Sequence, residues 1–211
     1  DLIILAILIG ARGALVLVFA LAGLVLNVAY TAPPLRLKKR GLGEADVLVV
    51  WGPLMIAGTY YSAVGHLPWQ VWLAAIPYGL LCTAVLMGKH IDKIPWDAKA
   101  GVNTLPVLLG EPAARTVTRG LMVGFYVTVV LFVALGILPW PALASLGAVP
   151  LLARALRALG RPRPAQPPRG FPVWPLWFAA FAFTHTRRAG ALLVAGLIVA
   201  AIFGVGPSWL R

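Results

Sequence analysis

Only six of the 211 residues are acidic, and four of them, Glu44, Asp46, Asp92 and Asp97, stand in or beside two polar stretches that also hold lysines and arginines. The first stretch, Asn27 to Glu44, contains Tyr30, Arg36, Lys38, Lys39 and Arg40; the second, Lys89 to Glu111, contains His90, Lys93 and Lys99. Carboxylates set among cations suit a phosphate-bearing substrate. Oxygen ligands are what Mg2+ prefers, and the ion commonly bridges to substrate phosphates. Lysine and arginine then neutralise the phosphate charge that the ion leaves over. A departing diphosphate needs both.

Asp92 and Asp97 are five positions apart with Pro95 between them. On an uninterrupted helix their side chains would diverge by about 140°. A proline inside a helix removes a hydrogen bond and clashes with the carbonyl four residues back. Pro95 is therefore expected to end or kink the helix, leaving Asp92 on its last turn and Asp97 in the loop, where the two can converge. Spacing alone leaves a plainer reading open, two solvated acids beside Lys93 and Lys99. Asn27 and Tyr30 are i, i+3 neighbours at the end of an apolar stretch and project from one face, although a tyrosine there also serves as an interfacial anchor. Arg36, Lys38, Lys39 and Arg40 read either as phosphate ligands or as a basic cluster that fixes membrane orientation. His90 reads as a hydrogen-bonded interfacial histidine rather than a metal ligand; His66 and His185 carry no assignment.

The elements that position these residues lie in the membrane. The chain is 61% hydrophobic and 11% charged, against about 25% charged in soluble domains. Six stretches approach the roughly 20 apolar residues that cross the hydrocarbon: Ala14–Thr31, Asp46–Val64, Gln70–Gly88, Val117–Ile137, Trp140–Leu156 and Gly190–Val205. A seventh, Leu2–Gly10, is incomplete, and Phe171–Phe183 is too short to cross. Leu2–Gly10 has no basic flank and is not a signal peptide. The expected fold is an all-α, multi-pass transmembrane bundle, one domain over residues 1–211. Gly/Pro punctuation falls at the ends of spans, and Arg161–Arg169, with four prolines, reads as an extended basic linker. The single cysteine, Cys82, sits inside a span and forms no intramolecular disulfide.

A net charge of +12 would suggest nucleic acid in a soluble protein. The placement of the charge argues otherwise. If the spans alternate direction, segments 32–45, 89–119 and 154–188 share one side and carry sixteen of the eighteen Lys and Arg residues, leaving Arg12 and Arg211 opposite. The basic side is expected to be cytoplasmic, in the cell membrane, with the charge attracting anionic lipid head groups. Trp69, Trp140 and Trp209 suit an aromatic belt on the other side.

At the two polar stretches the sequence resembles the UbiA superfamily of intramembrane prenyltransferases, and within it the dihydroxynaphthoate prenyltransferases of menaquinone synthesis. The resemblance rests on Tyr30-Thr-Ala-Pro-Pro-Leu-Arg-Leu-Lys38, Gly41-Leu-Gly-Glu44, Gly52-Pro-Leu-Met55 and Gly58-Thr-Tyr-Tyr61, and further on Asp97, Ala100-Gly101, Thr104-Leu105 and Leu109-Gly110. It implies nine transmembrane helices and two aspartate-rich cytoplasmic motifs, after the second and sixth helices, which jointly hold Mg2+ and a prenyl diphosphate. The incomplete first segment matches the family's third helix, so two helices and the first motif are expected before Asp1. The second motif in the family reads Asn-x-x-Asp-x-x-x-Asp. Aligned without a gap on Asp97, its Asn falls at His90 and its first Asp at Lys93; one inserted residue brings Asp92 onto that first Asp instead. The insertion is the preferred alignment, because a lysine opposes Mg2+ binding and Pro95 calls for irregular backbone.

The resemblance thus implies that Mg2+ held by Asp92 and Asp97 activates an isoprenyl diphosphate for transfer to a lipophilic acceptor, aromatic or a quinone precursor. Lys93, Arg36 and Lys38 bind the diphosphate, and Asn27 and Tyr30 face the prenyl end. Membrane lipids, and no nucleic acid, complete the partners. Residues 1–211 alone are expected to be inactive. The rival expectation is a non-catalytic protein that keeps the fold to bind lipid or a partner subunit.

Overall fold

A computed structural model describes residues 2–207 and 209. It is helical, with no strand among the described residues: α1 (Leu2–Arg12), α2 (Leu15–Thr31), α3 (Gly43–Val49), α4 (Met55–Val64), α5 (Trp69–Ala74), α6 (Ile76–Lys99), α7 (Leu105–Leu109), α8 (Glu111–Ala134), α9 (Val149–Leu159) and α10 (Trp177–Ile202). A π-helical turn, Val50–Leu54, joins α3 to α4, and a 3-10 segment, Trp140–Ala148, leads into α9. Gly52 leaves helical backbone angles just before Pro53, which lacks the N–H that a regular turn would use. Five continuous stretches are long and apolar enough to cross a membrane: Gly43–Val64, Trp69–Lys99, Glu111–Ala134, Trp140–Leu159 and Trp177–Ile202. α1 and α2 are shorter apolar helices.

The core forms where three helices present stripes at helical spacing. α6 buries Leu81, Ala84, Met87 and Ile91. α8 buries Ala114, Thr118, Met122, Phe125, Val129 and Phe132. α10 buries Phe178, Ala182, Ala189, Leu193 and Ala200. Recurrence every three or four residues puts each set on one helix face, and α8 and α10 both pack on α6, with α10 also lying along Trp140–Ala148. By contrast α2 buries only Val16 and Ala29, and α1 buries nothing. Arg12 at the end of α1 donates to the carbonyls of Ser62 and Ala63 (3.1 and 2.6 Å), capping α4's C-terminal end with a cation, while Tyr61 Oη donates to Arg12 O at 2.7 Å. Arg211 lies outside the described residues.

The sequence expectation is corrected at two places. First, α6 does not end at Pro95 but continues to Lys99, so Asp92 and Asp97 both stand on it. Second, Phe171–Phe183 and Gly190–Val205 are not separate segments: α10 runs unbroken from Trp177 to Ile202. The polar run Thr184–Arg188 breaks the hydropathy but not the helix. His185 is buried against Tyr126, with Tyr126 Oη and His185 Nε2 2.8 Å apart, and Thr186 Oγ1 donates to Leu81 O at 3.3 Å. Arg187 and Arg188 therefore lie on α10 rather than in the basic loop, exposed on the bundle's outer surface.

Candidate functional site

The two polar stretches meet at one end of the bundle. A lone backbone bridge pairs Arg40 with Asn103, and Glu44 joins three elements. Its Oε1 lies 2.6 Å from His90 Nδ1 on α6, and its Oε2 accepts from the Leu105 amide at 3.4 Å. Glu44 and His90 are 2% and 1% exposed, so neither group has water to turn to. A buried polar pair of this kind ties α3 to α6 and to the start of α7, and breaking it leaves a desolvated group behind.

Tyr30 packs on this junction. A Cβ added at Gly43 would meet the Tyr30 ring at 3.0 Å and the Lys38 backbone at 3.1 Å, so glycine lets the first stretch fold back closely on itself here. The Glu44, Asp46 and Asp97 carboxylates all lie near enough to Tyr30 to act on it electrostatically. Asp46 and Asp97 are buried, and one oxygen of each, Asp46 Oδ1 and Asp97 Oδ2, has no hydrogen-bond partner. An orphaned buried carboxylate oxygen is costly unless something supplies a proton or a cation. Among the described residues no three His, Cys, Asp or Glu side chains stand close enough together to hold a metal ion by themselves. A cation at these oxygens would take its remaining ligands from phosphate and water, as Mg2+ does. The donor set fits Mg2+ on those terms.

Lys38 and Lys93 are half-buried and Arg36 is exposed; among the described residues none of the three pairs with a carboxylate. Asn27 is exposed and lines a groove of about 650 Å³ between α1, α2 and α4, with Phe19, Gly23, Leu54, Met55 and Gly58.

Asp92 is elsewhere. Its Oδ1 accepts from the Phe178 amide at 3.1 Å and its Oδ2 from the Ala179 amide at 2.9 Å, so it satisfies the first turn of α10. Gly88, one turn earlier on α6, lets α10 come this close, since a Cβ there would sit 2.9 Å from Phe178 O. Arg163 Nη1 stands 3.9 Å from Asp92 Oδ1 and donates to Pro175 O at 3.0 Å. The expected convergence of Asp92 with Asp97 is thus not what the structure shows. With α6 continuous, the two diverge by about 140° and face different neighbours.

A model of the UbiA prenyltransferase family matches residues 2–180. The chain belongs to this family. It is 30% identical over 150 residues to a 2-carboxy-1,4-naphthoquinone phytyltransferase of Synechocystis sp., covering 68% of this chain and 48% of that protein. It is 36% identical over 141 residues to a 1,4-dihydroxy-2-naphthoate octaprenyltransferase of Haemophilus influenzae, covering 64% and 46%, and 37% identical over 121 residues to the protein of the same name from Mycobacterium tuberculosis, covering 57% and 39%. The chain spans about half, or less, of the length of these curated relatives. No solved structure matches it significantly. Family membership together with five spanning helices makes it a multi-pass membrane protein.

Within the family frame, the unbroken α6 bears on the alignment. His90, Lys93 and Asp97 are spaced i, i+3, i+7 and share one face, which is the stripe a motif Asn-x-x-Asp-x-x-x-Asp makes on a regular helix. The helix has no bulge in which an inserted residue would sit, so the geometry favours the gapless alignment over the preferred one. Sequence reasoning named Glu44 and Asp46 only as acids at helix ends. Their burial and the Glu44–His90 pair came from contacts made across 46 residues of chain, for which a single sequence carries no signal.

Proposed function

We propose that the protein transfers an isoprenyl group from a prenyl diphosphate to a small aromatic or quinone-precursor acceptor in the membrane, at the junction of α2, α3 and α6. The observation that carries this reading is that Asp46 and Asp97, each with an orphaned buried oxygen, both lie within electrostatic reach of Tyr30, with Lys38 and Lys93, which have no carboxylate partner among the described residues, in the same two polar stretches. The names of the relatives, which describe transfer to naphthoate or naphthoquinone acceptors, support the acceptor class.

Mg2+, when bound, supplies charge that stabilises a diphosphate leaving group. Asp97 and Asp46 would hold it. Lys93, Lys38 and Arg36 take the remaining phosphate charge, as mobile point charges and, for the arginine, as a fork of donors. The allylic C–O bond breaks with its electron pair leaving on the diphosphate; the acceptor carbon then bonds to the allylic carbon and gives up a proton. Asn27 lines the groove that would receive the prenyl chain, one turn before Tyr30 on α2, and the groove's apolar lining keeps water from capturing the carbocation-like species. In this reading Asp92 is not a metal ligand but the group that anchors α10.

The reading places the site on the cytoplasmic face of the cell membrane, supported by the crowding of basic residues at that end. In a Cys82→Ser background, His66→Cys and Leu135→Cys, both at exposed positions, should then label from outside intact cells and Lys39→Cys should not; the reverse pattern inverts the orientation. The 211 residues alone should bind a prenyl diphosphate weakly and turn over at trace level, because two carboxylates neutralise little of the charge that two motifs would.

The deciding experiment is a titration of a non-hydrolysable prenyl thiodiphosphate into the detergent-solubilised chain with and without Mg2+. Binding that strengthens with Mg2+ and loses that dependence in Asp97→Asn supports the proposal. Binding indifferent to Mg2+, or to Asp97→Asn, refutes it.

A further inference from the structure

Away from the carboxylate cluster, α9 carries a face of arginines that neither the bundle nor the proposed chemistry uses. Leu152, Ala155 and Leu159 are buried against the bundle, whereas Arg154 and Arg157 are exposed on the other face, and Arg161 continues their line just past the helix end. Their i, i+3, i+7 spacing stacks the guanidinium groups along one edge. Among the described residues none of them has a carboxylate partner.

The three arginines line one cavity of about 520 Å³ together with Pro162, Pro164, Trp177 and Phe181. The Trp177 indole Nε1, within that lining, is shielded from solvent and has no hydrogen-bond partner. Arg154 and Phe181 also line a second pocket of about 400 Å³, so the two spaces adjoin. This second pocket is mainly apolar, with Leu151, Phe171, Phe183 and one buried polar group, His185. The His185 ring is 0% exposed and held through Nε2 by Tyr126, and its Nδ1 has no partner. The wall is built rather than loose. Arg163 stacks 5.3 Å over the Trp174 ring and donates to Pro175 O at 3.0 Å, which folds the proline-rich segment back onto the bundle.

Cations and an indole N–H at the mouth, with an aromatic slot behind them, describe a ligand with an anionic head and an apolar tail. We propose that the cleft between α9 and α10 binds one anionic glycerophospholipid. Its phosphate sits on Arg154, Arg157, Arg161 and Trp177 Nε1, and one acyl chain fills the aromatic pocket. Bilayer lipid matches the site's height, because the cleft opens at the end of α9 and the start of α10, where aromatic residues mark the interface.

The test is native mass spectrometry of the 211-residue chain released from nanodiscs of equal phosphatidylglycerol and phosphatidylcholine. One phosphatidylglycerol per chain, retained over phosphatidylcholine by about tenfold or more, is expected, since each surface cation adds measurably to anionic-lipid affinity. Arg154→Gln/Arg157→Gln/Arg161→Gln should reduce the preference to about twofold or less, and Leu151→Trp, which fills the slot, should lower retention while leaving the arginines in place. Arg119→Gln/Arg169→Gln should leave the preference intact. Equal retention of both lipids overturns the proposal, as does an equal loss in the Arg119/Arg169 control, which would mean general surface charge. Stoichiometric displacement of the lipid by a prenyl thiodiphosphate would also overturn it, assigning the cleft to that substrate instead. None of these outcomes depends on Asp97.

Discussion

Asp92 and Asp97 stand on the same helix, five residues apart and both buried, yet they do different work. Both oxygens of Asp92 are taken by the backbone amides that open α10, with Arg163 beside them. One oxygen of Asp97 has no partner at all, and Asp97, like the α3 acids, lies within electrostatic reach of Tyr30. A buried carboxylate whose acceptors are filled holds the fold together, whereas one left short needs a proton or a cation, and the proposed function assigns it a cation. Residue type and burial do not separate the two cases. The direction each side chain leaves the helix does.

The comparison breaks most sharply at Asp97. Asp97→Asn keeps the volume and removes the charge, and it should lower Mg2+-dependent prenyl diphosphate affinity by about a hundredfold, near 3 kcal/mol, with little change in thermal stability. Calorimetry with and without Mg2+ checks both halves. Next comes Asp92→Ala, which strands the Phe178 and Ala179 amides and should cost about 2–3 kcal/mol of stability, read as a lower unfolding midpoint in detergent. The folded fraction should bind the diphosphate within about threefold of wild type. Gly88→Val tests the same contact from the other side. Its added atoms collide with the Phe178 backbone, so a loss of about 1–3 kcal/mol is expected, again without selective loss of Mg2+ dependence. Lys93→Ala gives the smallest effect, about tenfold or less in diphosphate affinity, because neighbouring cations can substitute for a mobile point charge; a titration at fixed Mg2+ measures it.

How much of this the sequence disclosed follows the range of the interactions. Apolar run lengths located the helices from Ala14 to Ile137, and the Tyr30–Lys38 block pointed to the family, because both are local patterns. Pro95 misled. Its cost is borne one turn from the end of α6, where only a few carbonyls remain to be paired, so the helix continues to Lys99. Thr184–Arg188 misled in the same way: His185 looks like an interruption until Tyr126, 59 residues away, answers it. Asp92 looks like a ligand in the sequence because its partners are amides of Phe178 and Ala179, 86 and 87 residues on, and backbone groups leave no mark in a sequence. The Glu44–His90 pair is of the same kind.

Titrating Mg2+ into the isosteric variants Asp97→Asn and Asp92→Asn, at a fixed concentration of fluorescent prenyl diphosphate analogue, separates a cation site at Asp97 from one at Asp92. Asp92→Asn, although less stable, should keep a Mg2+ response within about threefold of wild type, while Asp97→Asn should show none up to about a hundredfold higher Mg2+. A Mg2+ response lost equally in both variants, with Asp92→Asn still folded, would contradict that expectation and return Asp92 to the metal.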